Sequence, residues 1–489
     1  MGIVARQSIK YSLIGYLGFA LGTLAVIFLF PNDLEFYGRL RYILSTAEMF
    51  LPFVVLGISF SNVKFFYEAQ KVGKHQNFLW LSLLSIIFSF SIFSALFFSA
   101  NWLFPSIKES SAWNLKTLIL PLILILALNA ILNKYISNFK RIAIPNIFEN
   151  LFPKIANIGA FSLFFYLGFG EKVAYTFFLG MFAISLLCYI FYAHKLEKLR
   201  PDFSLNYLKN NQLWRKVINY SLYGFLGNIG HYIALRVDNF MIGELIGFES
   251  NGVYSIILAI LSFMMIPQMG INNISAPIIN QYLEETNYIK LNQFYQESAF
   301  QLFFQGLIIF ACIVLGFPYL SSLIKNGDKL LESFPILCIL GTSMLFDLAT
   351  GFNGHIISLS KYYRINIVIM LFLATLTISL NLTFIKGFNL GLFGVALSTA
   401  ISLTTFNITK IYFNWAKFGV FPLSKKMLST LALIGTALFI ALLLPDSKTT
   451  WLNLIYKPLT LITLTFIGNQ IFGIFPLIEY LKKLRKKKL

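Results

Sequence analysis

The stretch Ser12-Leu13-Ile14-Gly15-Tyr16-Leu17-Gly18 returns near the middle of the chain as Ser221-Leu222-Tyr223-Gly224-Phe225-Leu226-Gly227, with five identities in seven positions and a Tyr/Phe exchange. Apolar sequences match by chance easily, so a true repeat needs later landmarks in step. They follow. Tyr37-Gly38 is answered by Gly252-Val253-Tyr254, Leu51-Pro52 by Ile266-Pro267, and Gly57-Ile58 by Gly270-Ile271, at offsets between 209 and 215. An internal duplication in a polytopic chain implies a transporter whose two lobes rock about a site near the bilayer midplane.

Composition places the chain in a bilayer: 489 residues, 57% apolar, 17% aromatic and only 12% charged. A helical span needs roughly 20 apolar residues. Fourteen such runs are found, numbered here as spans 1 to 14: 9–30, 40–61, 77–100, 115–134, 145–168, 173–193, 216–237, 253–279, 299–323, 333–357, 365–385, 390–413, 427–445 and 453–475. The expected fold is an all-α polytopic membrane protein with two pseudo-symmetric six-helix lobes plus two C-terminal helices. The boundaries follow: an N-lobe over 1–193, a linker over 194–215, a C-lobe over 216–413, spans 13 and 14 within 414–475, and a basic tail over 476–489. Six spans per half send both halves into the membrane in the same direction, so their symmetry axis runs along the membrane normal.

An even number of spans puts both termini on one side. With basic residues near a span's end counted to the adjoining connection, the connections on that side and the termini hold 27 of the 39 Lys and Arg; the opposite connections hold 11, and Lys154 lies well inside span 5. Basic residues stay preferentially cytoplasmic, so both termini are expected in the cytoplasm. The net charge of +19 is scattered over short membrane-flanking loops, which excludes a basic domain that grips nucleic acid. The tail Lys482-Lys483-Leu484-Arg485-Lys486-Lys487-Lys488 is read as a contact to anionic lipid or a topology anchor. Cys188, Cys312 and Cys338 all fall within spans and read as packing residues. Span 1 follows Arg6 and Lys10 and is longer than the apolar core of a signal peptide, so it is expected to be retained.

Walker A, dinucleotide-binding, Cys-x-x-Cys and His-Glu-x-x-His patterns do not occur. No cofactor is expected, and power must come from an ion gradient, the membrane potential or the substrate gradient. The outer connections leave little room for a catalytic loop, which weighs against a membrane glycan polymerase or ligase. Gly18-x-x-x-Gly22 lies inside an apolar span and is expected to permit close helix approach.

Ionisable groups at membrane depth are costly and face a cavity or one another. In span 2, Arg41, Ser45, Glu48 and Pro52 share one helical face; in span 5, Asn146, Asn150, Pro153 and Asn157 do, with Lys154 about a quarter-turn away. Span 10 aligns Ser343, Asp347, Gly351, Gly354 and Ser358. Span 7 aligns Gly224, Asn228 and His231 and reaches Arg236 and Asp238 at its outer end. These stripes are expected to line a hydrated cavity. The alternative is mutual satisfaction for folding alone, for example Glu48 with Lys154, or Arg236, Arg41 and Arg39 with Asp238, Asp33 or Glu35. Arginine suits phosphate because its guanidinium donates two parallel hydrogen bonds; lysine contributes a point charge. Arg236, Arg41, Arg39 and Lys154 are therefore the candidate anion contacts. Asn228, His231 and Asn150 are candidate cavity groups, and Glu48, Asp347 and Asp238 are candidates for coupling to H+ or Na+.

Arg236-Val-Asp-Asn-Phe-Met-Ile-Gly243 followed by Gly252-Val-Tyr254, and Asp347-x-x-Thr350-Gly351-x-Asn353 with Ser360-Lys361-Tyr362-Tyr363-Arg364, resemble the polysaccharide-transporter branch of the multidrug, oligosaccharidyl-lipid and polysaccharide exporter superfamily, the Wzx-type flippases. The resemblance runs through nearly the whole chain. It implies a bacterial inner-membrane protein that moves a polyprenyl-diphosphate-linked oligosaccharide to the outer leaflet, with spans 1, 2, 7 and 8 lining the cavity. It implies membrane lipids and polysaccharide-assembly proteins as partners. The related lipid II flippases carry more arginine in the first cavity helices, whereas span 1 here has no charge between Lys10 and Asp33. The alternatives are a cation-coupled multidrug exporter of the same superfamily and, more distantly, a membrane glycan polymerase or ligase. Both cavity-forming halves occur in one chain, so a monomeric working unit is expected.

Overall fold

In hydrocarbon every backbone N–H and C=O must be bonded within the protein, so an apolar chain of this kind has helices or a closed barrel open to it. The structure, a computed structural model, describes residues 3–209 and 212–476, and these are helical with no strand among them. The basic tail from 477 onward lies outside the described residues.

All fourteen expected spans coincide with helices. Among the described residues ten helices are long and apolar enough to cross a membrane, and two further pairs, Leu34–Val55 with Ile58–Lys71 and Phe334–Ala349 with Asn353–Leu359, qualify as spans bent by 48°. These pairs are spans 2 and 10. Span 5 is broken into helices Ala143–Asn150 and Phe152–Phe165, of 8 and 14 residues, so neither crosses alone. Span 7 is the 33-residue helix Leu213–Leu245, whose charged positions dilute its hydropathy. Span 8 is also interrupted, as Phe248–Leu261 and Ile266–Glu284.

Contacts group the chain into two compact units, residues 1–256 with 370–395, and residues 257–369 with 396–489. This grouping differs from the division by duplication: span 7 and span 11, Tyr363–Leu382 for most of its length, go with the first six. Small residues explain it. A Cβ at Gly230 would stand 2.9 Å from the backbone of Met370, so spans 7 and 11 meet backbone to backbone. At the start of helix Leu34–Val55, a Cβ at Gly38 would lie 2.7 Å from the backbone nitrogen of Gly252, and Asn251 donates to the Gly38 carbonyl at 2.8 Å. Lipid tails are as apolar as leucine, so close packing and interhelical hydrogen bonds hold such contacts, not the hydrophobic effect.

The bend of span 2 is built on Leu56 and Gly57, with φ of 46° and 70°. Gly57 is the landmark of the sequence repeat, and it sits against the repeat's other copy. A Cβ there would approach the Ser221 carbonyl to 2.1 Å and the Phe225 nitrogen to 2.5 Å. Ser61 Oγ and Ser221 Oγ are bonded at 2.8 Å one turn further on.

The first part of the linker is sewn to the start of span 3, His75–Leu103. His75 Nε2 lies 2.8 Å from Glu197 Oε2. Gln76 donates to the Lys198 carbonyl at 3.0 Å and accepts from the Arg200 nitrogen at 2.7 Å. Asn77 donates to the carbonyls of Asp202 and Ser204, both at 2.9 Å. Lys74 Nζ donates to Asp202 Oδ2 at 2.9 Å. The Lys74 bond first, and then the Ser204 N–H, hold the Asp202 carboxyl well below the usual carboxylate range.

In the second unit, Phe352 at the break of span 10 packs on Phe294 and Tyr295, with centroids 5.2 Å away in each case. Spans 13 and 14, Lys425–Leu443 and Thr450–Phe472, lean on span 9, Tyr288–Leu323. Buried Lys457 of span 14 pins them by donating to Tyr319 Oη at 2.6 Å and to Asp446.

The bend at Gly57 and the strap that ties the linker to span 3 each respond to a single substitution. Gly57→Ala adds a left-handed backbone cost of about 1–2 kcal/mol to an overpacking cost of about 1–3 kcal/mol; Gly73→Ala, where φ is 68° and nothing lies within 4 Å, carries the first alone. Melting temperatures in detergent should fall further for Gly57→Ala, and equal falls would mean that close packing at the bend contributes nothing. For the strap, a depressed carboxyl stabilises above its unfolded value of about 3.9, and the gain is lost as pH falls through the folded value. Wild type should therefore melt above Asp202→Asn near neutral pH, and the gap should close as pH drops below about 4.

Candidate functional site

The polar stripes of the first unit resolve into paired and unpaired charges. Glu48 of span 2 and Arg236 of span 7 are brought together, Oε2 to Nε at 2.6 Å. The pair is partly shielded, with side chains 22% and 33% exposed, and the Nε–H makes no aligned hydrogen bond. Of the partners weighed from sequence, Arg39 does take Glu35, whereas Glu48 and Arg236 take each other. Glu48 takes Arg236 and not Lys154. Asp238, two positions from Arg236 and so on another face of the helix, accepts from Tyr254 Oη at 2.8 Å and Asn381 Nδ2 at 2.9 Å.

Arg39 is also neutralised. Its Nη1 donates to both Glu171 oxygens at 2.8 and 2.9 Å, its Nη2 to Glu35 at 2.7 Å, and its guanidinium stands 5.3 Å from the Phe248 ring centroid. A guanidinium so engaged has little left for a phosphate.

Arg41 and Lys154 differ. Arg41 makes no side-chain hydrogen bond or ion pair among the described residues, and its Nε is buried. Lys154, on the second arm of span 5, makes no hydrogen bond or ion pair among the described residues. Its stem lies over span 1: a Cβ at Gly18 would stand 3.0 Å from Nζ, and one at Gly22 3.3 Å from Cε. The glycine pair expected to serve helix contact is therefore also the bed of a lysine. Asn150 turns back on its own helix and donates to Asn146 Oδ1. Asn228 is half-buried, and the His231 ring stands 5.9 Å from that of Tyr232.

Beside Glu48 lies a cavity of 140 Å³ lined by Glu149, Asn129, Asn133, Tyr189 and Tyr232 among others. Asn133 donates to Glu149 Oε2 at 3.0 Å, while Asn129 Oδ1 is buried without a partner. Two carboxylates at the edge of so small a space suit an ion and its water, not a drug-sized molecule, which needs about 300 Å³ or more. Glu149 was not singled out from sequence because it lies off the Asn146–Asn150–Asn157 face. Its presence within an apolar run was the available signal.

Asp347 lies in the second unit. Its Oδ1 accepts from Asn407 Nδ2 at 2.8 Å; Asn407 Oδ1 accepts from Asn353 Nδ2 at 2.9 Å and from Thr350 Oγ1 at 3.3 Å. Asn414 donates to the Asn353 carbonyl at 3.0 Å. The network fills the break in span 10 and satisfies backbone that the bend leaves open. Lys410 of span 12, Gly391–Phe418, lies beside it without a hydrogen bond to it, 4% exposed and with Nζ 3.7 Å from the Phe406 ring centroid. It too was passed over in the sequence, where it falls inside span 12.

No protein-family model matches the chain, and no curated protein matches its sequence. Solved structures share the fold. The lipid II flippase MurJ in an inward closed conformation matches with a TM-score of 0.71 at 17% identity, over 95% of this chain and 98% of that one. A multidrug resistance MATE family transporter of the MOP superfamily, inward-facing, matches with a TM-score of 0.63 at 16% identity, over 84% and 98%. MATE in complex with MaD3S matches with a TM-score of 0.54 at 18% identity, over 85% and 96%. The chain has the fold of these transporters.

The Glu48–Arg236 contact can be isolated by a double-mutant cycle. Glu48→Gln and Arg236→Gln should each lower stability in detergent, and the double variant should lose less than their sum, with a coupling of about 0.5–3 kcal/mol. Additive losses would show that the two charges act independently.

Proposed function

We propose that the chain is a flippase that moves a polyprenyl-diphosphate-linked oligosaccharide across the bacterial inner membrane for surface-polysaccharide assembly, working as a monomer with both termini in the cytoplasm. The fold it shares with a lipid II flippase over 95% of its length supports a lipid-linked cargo. The observation that carries the proposal is Lys154, a cation inside a membrane span with no carboxylate to neutralise it among the described residues. Within the spans Arg236 finds a carboxylate partner; an unpartnered charge there is explained by an anionic ligand.

In this mechanism Lys154 and Arg41 hold the diphosphate in a hydrated space while the polyprenyl tail stays in lipid. The sugars and phosphates thereby avoid hydrocarbon, where unsatisfied polar groups are expensive. Rocking of the two six-span lobes, 1–193 and 216–413, then presents the headgroup to the outer leaflet. Arg236 and Arg39 shape and stiffen the walls. Glu48, with Glu149 in the small cavity, and Asp347 and Asp238 are the groups through which an ion would couple. A multidrug exporter of the same fold is the second reading, favoured by the MATE structures; it requires no free cation at Lys154.

The test is transfer of a fluorescent polyprenyl-diphosphate oligosaccharide between leaflets of proteoliposomes, without nucleotide. A charge-assisted hydrogen bond contributes about 1.5–3 kcal/mol, so Lys154→Ala should slow transfer by about tenfold to a hundredfold at unchanged membrane abundance, and Lys154→Arg should recover part of it. Normal transfer by Lys154→Ala would refute the anion role. No wild-type transfer with several glycans, together with drug efflux, would select the second reading.

A further inference from the structure

Lys410 is a buried ammonium that the transport mechanism above leaves unused. It projects from span 12 into the break of span 10. A Cβ at Gly354 would stand 2.9 Å from its Nζ, so the glycine clears its place. Phe406, one turn back, offers a ring face, and Asn407, on the same side of the helix, holds Asp347. Lys410 makes no hydrogen bond among the described residues. The charged and titratable groups that face it are Asp347 on the first arm of span 10, with which it interacts electrostatically, and His355 on the second arm; Tyr295 of span 9 lies beside Asn414 one turn on.

Without Lys410 this would be a plausible setting for a hard cation. A carboxylate, a threonine hydroxyl and asparagine carbonyls converge where a membrane helix is interrupted, and oxygen donors of this kind suit alkali and alkaline-earth ions. An ammonium within the same buried network already supplies the compensating charge. A second cation would have to enter against it in a medium where like charges repel strongly.

We propose that Lys410 is a tethered cation that neutralises Asp347 in place of an alkali-metal ion, so that the proton is the ion left for Asp347 to exchange. A proton taken from water by the carboxylate removes its charge and releases the ammonium; its return to water restores the pair. This rests on the proposed coupling role of Asp347, and it gives that role its ion.

The experiment uses the purified full chain in detergent and needs no lipid-linked cargo, so it can be read whether or not the flippase assay succeeds. Melting temperatures are compared in sodium and in N-methylglucamine chloride for wild type, Asp347→Asn, Lys410→Ala and the double variant. Lys410→Gln, closer in volume, stands in if the alanine variant does not fold. Wild type and Asp347→Asn should show the same sodium effect. Removing the lysine should add a sodium-dependent rise of about 2 °C, and the added Asp347→Asn change should abolish it. A sodium effect in wild type that Asp347→Asn removes, or none gained without Lys410, would overturn the proposal.

Discussion

A charge removed from water must be compensated, and in this protein that requirement decides which helices touch. The Glu48–Arg236 contact joins span 2 to span 7 across more than 180 positions of sequence. Asp238 with Asn381 then joins span 7 to span 11. Small residues let these helices approach, and the polar contacts select the approach that satisfies them. The first compact unit therefore recruits spans 7 and 11 from the second half of the sequence. Against that background of compensated charge, Lys154 and Arg41 stand out.

The polar groups collect where helices break. Spans 2, 5, 8 and 10 are interrupted, and an interrupted helix leaves donors and acceptors that a continuous one would use. At the span 10 break Asn414 donates to the Asn353 carbonyl and Thr350 to the Asp347 carbonyl, the Asn353 and Asn407 side chains link to each other, and Phe352 anchors the bend from the apolar side. At the span 5 break Lys154 follows directly after Pro153, clear of the Asn146–Asn150 contact. A rigid helix would carry these groups at fixed angular steps; a broken one aims each arm separately.

The two fates of the basic residues also show why residue type alone does not identify a ligand site. Arginine is the better phosphate fork, yet Arg39 and Arg236 are engaged by carboxylates and Lys154 is left uncommitted. Arg39 is held by Glu171, which lies 132 positions away, as firmly as by Glu35 one turn before it. A partner at that distance in sequence leaves no periodic trace.

Hydropathy and the spacing of apolar runs determined by themselves that this is a helical, polytopic membrane protein, and where its apolar helices lie. They could do so because a membrane helix satisfies its own backbone and must be apolar along its length, both local properties of the chain. The repeat landmarks Gly57 and Gly224 were legible too, since glycine marks close approach. Which helix meets which was decided by tertiary structure: that Glu48 is spent on Arg236, that the Gly18 and Gly22 bed carries Lys154, and that Lys410 reaches the network of Asp347. Those outcomes depend on the energy of bringing particular charges together in a low dielectric, and that energy is a property of distance in space, which neighbours in sequence do not record.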